Sequence, residues 1–261
     1  MDNGYRGYLM NALNQLIHSC VEKGTYAQAY NMAGTIGQIL FWLVVLWYIW
    51  RMRQHPLKSV PIALLGLTFA LSWNGILLAL LSGVHNGRSN LAVAFVYLLP
   101  VSWLLAKLFR LRWQAVSEMI TFGILAFHIP GRSGCIFTGC CHGYPCEWGI
   151  YSRRAAEYVF PVQILESLMT LALFIFLLIR TRKKDYVPDG RTMPWMLLLY
   201  GVGRFFTEFL RDNKKIWIGC SEISFHALFM AAVGLVLLIC LSRKQNREKT
   251  EQVSLSVAEN P

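Results

Sequence analysis

From His128 to Ser152 the chain reads HIPGRSGCIFTGCCHGYPCEWGIYS, and the place given to this stretch decides the fold. Glycines at 131, 134, 139 and 143 leave backbone N–H groups open to close approach, and Arg132 adds a fixed positive charge among them. That combination suits an anionic oxygen such as a phosphate. Apolar runs flank the stretch on both sides, from Gln114 to Ile129 and from Val162 to Ile179. Runs of this kind cross a bilayer, so the polar stretch is expected to form a loop at a membrane face.

Working outward, further apolar runs lie at Met32 to Trp50, Val60 to Val84, Leu91 to Leu108, Met193 to Leu210 and Ile223 to Leu241. The expectation is an all-α integral membrane protein of about seven transmembrane helices, with a large outer-face loop from Gly131 to Phe160 between helices four and five. Composition agrees: 55% of the 261 residues are hydrophobic and only 15% are charged, with a mean hydropathy of +0.42. Before the first run, Tyr8, Leu9, Ala12, Leu13, Leu16, Ile17 and Cys20 recur at three- and four-residue steps, which predicts an amphipathic helix lying on the membrane. Three regions follow: an amphipathic segment over 1–31, a polytopic membrane domain over 32–242 and a polar, disordered cytoplasmic tail over 243–261. No cleavable signal peptide precedes the first run, because Asp2 and a mostly polar stretch stand there, so the first membrane helix is expected to direct insertion.

The formal charge of +11 does not point to nucleic acid, since the basic residues sit at the ends of apolar runs and no nucleic-acid motif is present. Loops carrying Arg51, Arg53 and Lys58, then Lys107, Arg110 and Arg112, then Arg180, Arg182, Lys183, Lys184 and Arg191 alternate with less basic ones. The positive-inside rule then places the N-terminus outside and the C-terminus inside. Arg88, Arg132, Arg153, Arg154, Arg211, Lys214 and Lys215 fall on the disfavoured outer side. An anionic ligand there gives them a reason.

In the sixth run, YGVGRFFTEFLRDN sets Tyr200, Arg204, Glu208 and Arg211 at steps of four, four and three, one stripe of a helix. Ionisable groups on one face of a membrane helix look inward, either to a helix-pairing ion pair or to a functional cavity. Taken with GRSGCIFTGCCHG, this stripe resembles the prolipoprotein diacylglyceryl transferase family. The resemblance runs from His85 to Cys240 and is carried by HNGRSN at His85 to Asn90, by Glu118, by Gly131, Arg132, Gly134 and Gly139, by Pro161, Gln163 and Glu166 in FPVQILESL, and by the Tyr200 to Arg211 stripe. Cys135 and Cys140 stand where the family has an asparagine and an acidic residue, Phe160 replaces a histidine and Leu165 a tyrosine.

The resemblance implies an enzyme of the bacterial cytoplasmic (inner) membrane that binds phosphatidylglycerol and transfers its diacylglyceryl group to the lipobox cysteine of a prelipoprotein signal peptide, releasing glycerol phosphate. A transfer to another acceptor, or a non-catalytic membrane protein that binds anionic lipids, are the alternatives. The catalytic candidates are Arg132 and Arg204 as a phosphate clamp, Glu208 to orient Arg204 or the incoming thiol, and His85 as proton acceptor with His142 as runner-up. Gly131, Gly134, Gly139, Glu118, Gln163, Glu166, Tyr200 and Arg211 are expected to bind substrate. His128 reads as a hydrogen-bonding wall residue.

The seven cysteines fix no disulfide framework. Cys135, Cys140, Cys141 and Cys146 lack the C-x2-C pairs of common zinc sites, so neither a metal nor a cofactor is expected; a disulfide and free thiols both stay open.

Overall fold

The computed structural model describes residues 8–53, 56–68, 91–183, 185–213, 217 and 219–259. Among them are eight helices: α1 (Tyr8–Glu22), α2 (Tyr26–Arg51), α3 (Pro56–Thr68), α4 (Leu91–Leu108), α5 (Trp113–Thr138), α6 (Val162–Thr181), α7 (Thr192–Phe209) and α8 (Glu222–Glu259). Between α5 and α6 lie two strands, β1 (Pro145–Ser152) and β2 (Glu157–Val159).

Helix α5 is the centre of the bundle. Every residue from Val116 to Ala126 is buried, as expected of a helix surrounded by others, and α2, α3, α4, α6 and α7 all pack against it. Close approach to α2 depends on residues without side chains. A Cβ on Gly37 would stand 2.8 Å from the Phe127 carbonyl oxygen, and one on Gly134 would stand 2.8 Å from Ala33 Cβ. Such small-residue contacts let membrane helices gain dispersion energy where no hydrophobic driving force separates protein from lipid.

Four helical stretches among the described residues are long and apolar enough to cross a membrane: Tyr26–Arg51, Trp113–Thr138, Val162–Thr181 and Glu222–Arg247. This corrects the expected seven. Helix α3 has 13 residues, and residues 69–90, over which the second run continues, lie outside the described set. The apolar part of α4 is the short stretch Leu98–Leu108. Helix α7 has 18 residues but carries Arg204 and Glu208 in its second half, and its buried face packs inside the bundle.

The outer-face loop is also corrected. Helix α5 runs through Pro130 to Thr138, absorbing the first part of the expected loop. Proline removes the helical N–H that would meet the Ala126 carbonyl, and one turn on Ser167 Oγ of α6 ties the helix by donating to the Ile129 carbonyl at 3.0 Å. The helix ends only at Gly139, whose φ of +66° is the left-handed cap conformation. The remainder is an antiparallel hairpin, with Ile150 opposite Val159, Tyr151 opposite Tyr158 and Ser152 opposite Glu157, so the domain is not purely helical. Gly149 sits where a Cβ would lie 2.0 Å from the Val159 carbonyl oxygen.

Helix α1 forms as its periodicity predicts, but its buried Ile17 packs with Ile136, Ile150 and Val159 of the protein. Asn14 fastens it: Nδ2 donates to the Gly149 carbonyl (3.2 Å) and Oδ1 accepts from the Tyr151 N–H (2.8 Å). The polar segment after Leu241, expected as a disordered tail, continues α8 as helix to Glu259.

Candidate functional site

Three arginines from two parts of the chain converge on one carboxylate. Glu166, in the first turns of α6, is fully buried. Arg132 of α5 brings Nε to 2.8 Å from its Oε2. Arg204 of α7 brings Nη1 to 2.5 Å from Oε1, and Arg211 just beyond α7 donates from Nη2 to both oxygens at 2.8 and 2.9 Å. Thr207 Oγ1 adds a further bond to Oε1 (3.2 Å).

A second buried carboxylate backs the first. Glu208 lies 3.1 Å from Arg204 Nη2 and 3.8 Å from Arg211 Nε, and its Oε1 accepts from Asn213 Nδ2 (2.6 Å) and Ser221 Oγ (2.7 Å). Among the described residues, three guanidiniums stand against two carboxylates, one positive charge in excess. The arginines differ in access: 14% of the Arg132 side chain is exposed, against 4% for Arg204 and 2% for Arg211. Arg132 therefore stands at the mouth. Burial works against the charge of Arg211, but Glu166, Cys141 and Glu208 together hold the guanidinium above its ordinary range.

The backbone explains how Arg211 reaches the site. Residues 142–144 run between Phe160 and the end of α7: Gly143 N–H donates to Phe160 O, Tyr144 N–H to Leu210 O, and Asp212 N–H to His142 O. A Cβ on Gly143 would lie 2.7 Å from the Phe160 carbonyl and 2.8 Å from that of Leu210, so only glycine fits between them.

Arg132, Glu166, Arg204, Glu208 and Arg211 are thus brought together. Gln163 lies one turn of α6 away, with Nε2 donating to the Cys140 carbonyl (2.8 Å) and Oε1 buried without a hydrogen-bond partner among the described residues. Tyr200 is buried and shares a hydrogen bond with His128 Nε2 (3.2 Å). Among the described residues, only the Phe127 ring comes within 4.0 Å of a Cβ placed on Gly131. Gly131 and Gly134 are helical, so their amides are not arranged as an anion-binding nest; the donors of the site are side chains.

Two expected site residues are not in this cluster. Glu118 is on α5 but fourteen positions before Arg132, roughly 20 Å along the axis; its Oε2 accepts from Tyr186 and Thr192, each at 2.7 Å. His85 lies outside the described residues. His142 is at the rim, its Nδ1 3.3 Å from the Gly143 carbonyl.

Sequence reasoning missed Thr207, Asn213, Ser221 and the contact of Arg132 Nη1 with Cys141 Sγ (3.7 Å). Thr207 has a signal, three residues beyond Arg204 on the same stripe. Asn213 and Ser221 come from the connection after α7 and have none.

Fold and site together define a multi-pass helical membrane protein with a buried cluster, net-cationic among the described residues, in which Arg132 is the most accessible arginine. Residues 93–240 match the family model described as prolipoprotein diacylglyceryl transferase, and the chain belongs to that family. It is 28% identical over 148 residues to phosphatidylglycerol–prolipoprotein diacylglyceryl transferase 2 of Clostridium perfringens, covering 53% of this chain and 57% of that protein. The corresponding transferase of Dehalococcoides mccartyi is 29% identical over 154 residues (55% and 57%), and that of Clostridium tetani 35% over 124 residues (44% and 49%). The chain therefore spans about half the length of these relatives. All five residues of the charged cluster lie inside the matched region; His85 precedes it.

Proposed function

We propose that the cluster binds the phosphate of phosphatidylglycerol and that the protein transfers the diacylglyceryl group to the lipobox cysteine of a prelipoprotein at the outer face of the bacterial cytoplasmic membrane. One observation carries this: a buried cluster in which, among the described residues, three guanidiniums meet two carboxylates, with Arg132 the most accessible of them. Isolated buried charge is costly unless paired, and a phosphate supplies the missing anion. In the reaction the acceptor sulfur bonds to the glyceryl carbon, the carbon–oxygen bond to phosphate breaks, and glycerol phosphate leaves with the electron pair.

Arg132 and Arg204 stabilise charge growing on the leaving phosphate, with Arg211 behind them, because guanidiniums offer paired donors that match phosphate oxygens. Glu208 orients Arg204, Glu166 spaces the three guanidiniums, and the buried Gln163 Oε1 accepts from a head-group hydroxyl. Gly131 gives the head group room beside Arg132, while Gly134 and Gly139 fix the helix end that carries it. Tyr200 lines the site with His128, Glu118 steadies α5 from its other end, and His85 takes the thiol proton. An outside N-terminus puts this end of α5, which packs against the N-terminal end of α2, at the outer surface.

Transfer from labelled phosphatidylglycerol to a lipobox peptide in proteoliposomes tests this. Arg132→Ala and Arg204→Ala are each expected to lower turnover about a hundredfold, with little rescue by lysine. Wild-type turnover in both would overturn the phosphate clamp. His85→Gln is expected to lose rate and regain part of it at higher pH, where the acceptor thiol ionises unaided; an unchanged pH profile would remove the base role alone.

A further inference from the structure

The charged cluster has a second neighbour that lipid transfer leaves unused. Cys135, Cys140 and Cys141 gather at the C-terminal end of α5, all three as free thiols, with Cys140 Sγ 3.8 Å from the Cys135 carbonyl and the Cys141 thiol interacting with both others. Their surroundings are built around them. Thr138 Oγ1 donates to Cys140 Sγ (3.2 Å), and Gln163 pins the Cys140 carbonyl. Cys135 is buried while Cys140 and Cys141 are half-buried. Cys141 has a φ of +58°, a left-handed conformation that non-glycine residues seldom adopt and that costs roughly 1 kcal/mol or more. It follows the Gly139 cap and holds the Cys141 sulfur against Arg132 Nη1 at 3.7 Å.

We propose that Cys141 is a nucleophilic, redox-active thiol, with Cys135 as its resolving partner, and that the pair takes hydroperoxides as substrate. The groups around Cys141 come from every packed element: Arg132 and Cys135 from α5, Tyr30 from α2, Glu166 from α6, Arg211 after α7, and its neighbour Cys140. Hydrogen bonds from Cys135 and Cys140, helped by Arg211 and Arg132, hold the Cys141 thiol well below the ordinary range of cysteine. With no phosphate bound, its thiolate lies against the cationic side of the cluster through Arg132. A thiolate beside cations and partly open to the surface is the reactive form of cysteine.

The chemistry balances without a metal or cofactor. The Cys141 thiolate attacks the terminal peroxide oxygen, the O–O bond breaks, and the alkoxide leaves as an alcohol after taking a proton; Arg132 is placed to stabilise the departing oxygen. Cys141 is now a sulfenic acid. Cys135 then attacks that sulfur, forming a Cys135–Cys141 disulfide and releasing water. Two thiols have been oxidised and the peroxide reduced to alcohol and water. An external dithiol restores the pair by exchange.

The wild-type protein in detergent gives the first test. Alkylation by a maleimide at pH 6, mapped by mass spectrometry, is expected to modify Cys141 about tenfold faster than Cys20 or Cys146; the gain in thiolate exceeds this, but nucleophilicity falls as thiol acidity rises. Hydrogen peroxide is expected to join Cys135 to Cys141, and Cys135→Ser to leave a sulfenic acid on Cys141 that dimedone captures. Cys146→Ser is expected to change neither result. Alkylation of Cys141 no faster than of Cys146, or peroxide treatment that leaves Cys135 and Cys141 as thiols in the folded wild type, would overturn the proposal. No readout involves lipid transfer, so this result stands apart from the phosphate clamp.

Discussion

Two buried glutamates near opposite ends of the same bundle are satisfied in opposite ways. Glu166 is held by three guanidiniums, whereas Glu118 is held by the hydroxyls of Tyr186 and Thr192. Hydroxyl donors bring no positive charge, so the Glu118 pocket has nothing to attract an anion and instead ties the connection between α6 and α7 to α5. Guanidiniums bring more charge than Glu166 and Glu208 cancel, so the other end has cationic capacity to spare. A buried carboxylate is a sign of function when its partners over-neutralise it, and a sign of architecture when they do not.

Removing each carboxylate is the sharpest way to break this comparison. Glu166→Gln leaves three buried cations with one glutamate and is expected to lower stability by about 3–5 kcal/mol. Glu118→Gln keeps a hydrogen-bonding group among neutral partners and is expected to cost about 1–3 kcal/mol. Denaturant unfolding in the same detergent measures both; equal losses would mean that the two pockets do not differ in charge balance.

The next effect is on turnover. Alongside the hundredfold loss expected for Arg132→Ala, Glu118→Gln is expected to stay within about twofold of wild type, because distant sites without shared partners act independently. A loss at Glu118 matching that at Arg132 would couple the two ends.

The smallest effect is a pH dependence confined to the Glu118 end. Burial and the adjacent Glu118 push the Tyr186 phenol up from its ordinary value, so the folded protein holds that proton longer than the unfolded chain does. The stabilisation is complete below the ordinary tyrosine value of about 10 and is lost as pH rises above it. Thermal unfolding between neutral and strongly alkaline pH is expected to show a steeper decline in wild type than in Tyr186→Phe. Parallel curves would show that the phenol carries none of that decline.

How much of this was legible in the sequence follows from the range of the interactions involved. The Tyr200, Arg204 and Glu208 part of the stripe is local, set by helical period, and forms as read, whereas Arg211 lies just past the end of α7. That Arg204 and Arg211 centre on Glu166 is not local, since the partner is on another helix. Only the family resemblance brought Glu166 forward, and as a substrate ligand rather than as the hub. Helix α5 was cut short because Pro130 and the glycines after it are helix-breaking by propensity; packing against α2 and the Ser167 bond to Ile129 override them. The count of spans failed for a related reason: mean apolarity does not separate a lipid-facing helix from α7, which hides its charges inside the bundle.

Asn14 gives the hairpin a property of a different kind. In a parallel sheet a residue reaches across to its neighbour with one N–H and one C=O, gripping the carbonyl of one residue and the amide of the next but one. The Asn14 side chain does the same to Gly149 and Tyr151, so a single carboxamide stands in for a missing third strand. Exposed sheet edges invite pairing with other chains. Here that stretch of edge is already occupied by the chain's own N-terminal helix, which makes α1 a guard against self-association as well as a support for the hairpin.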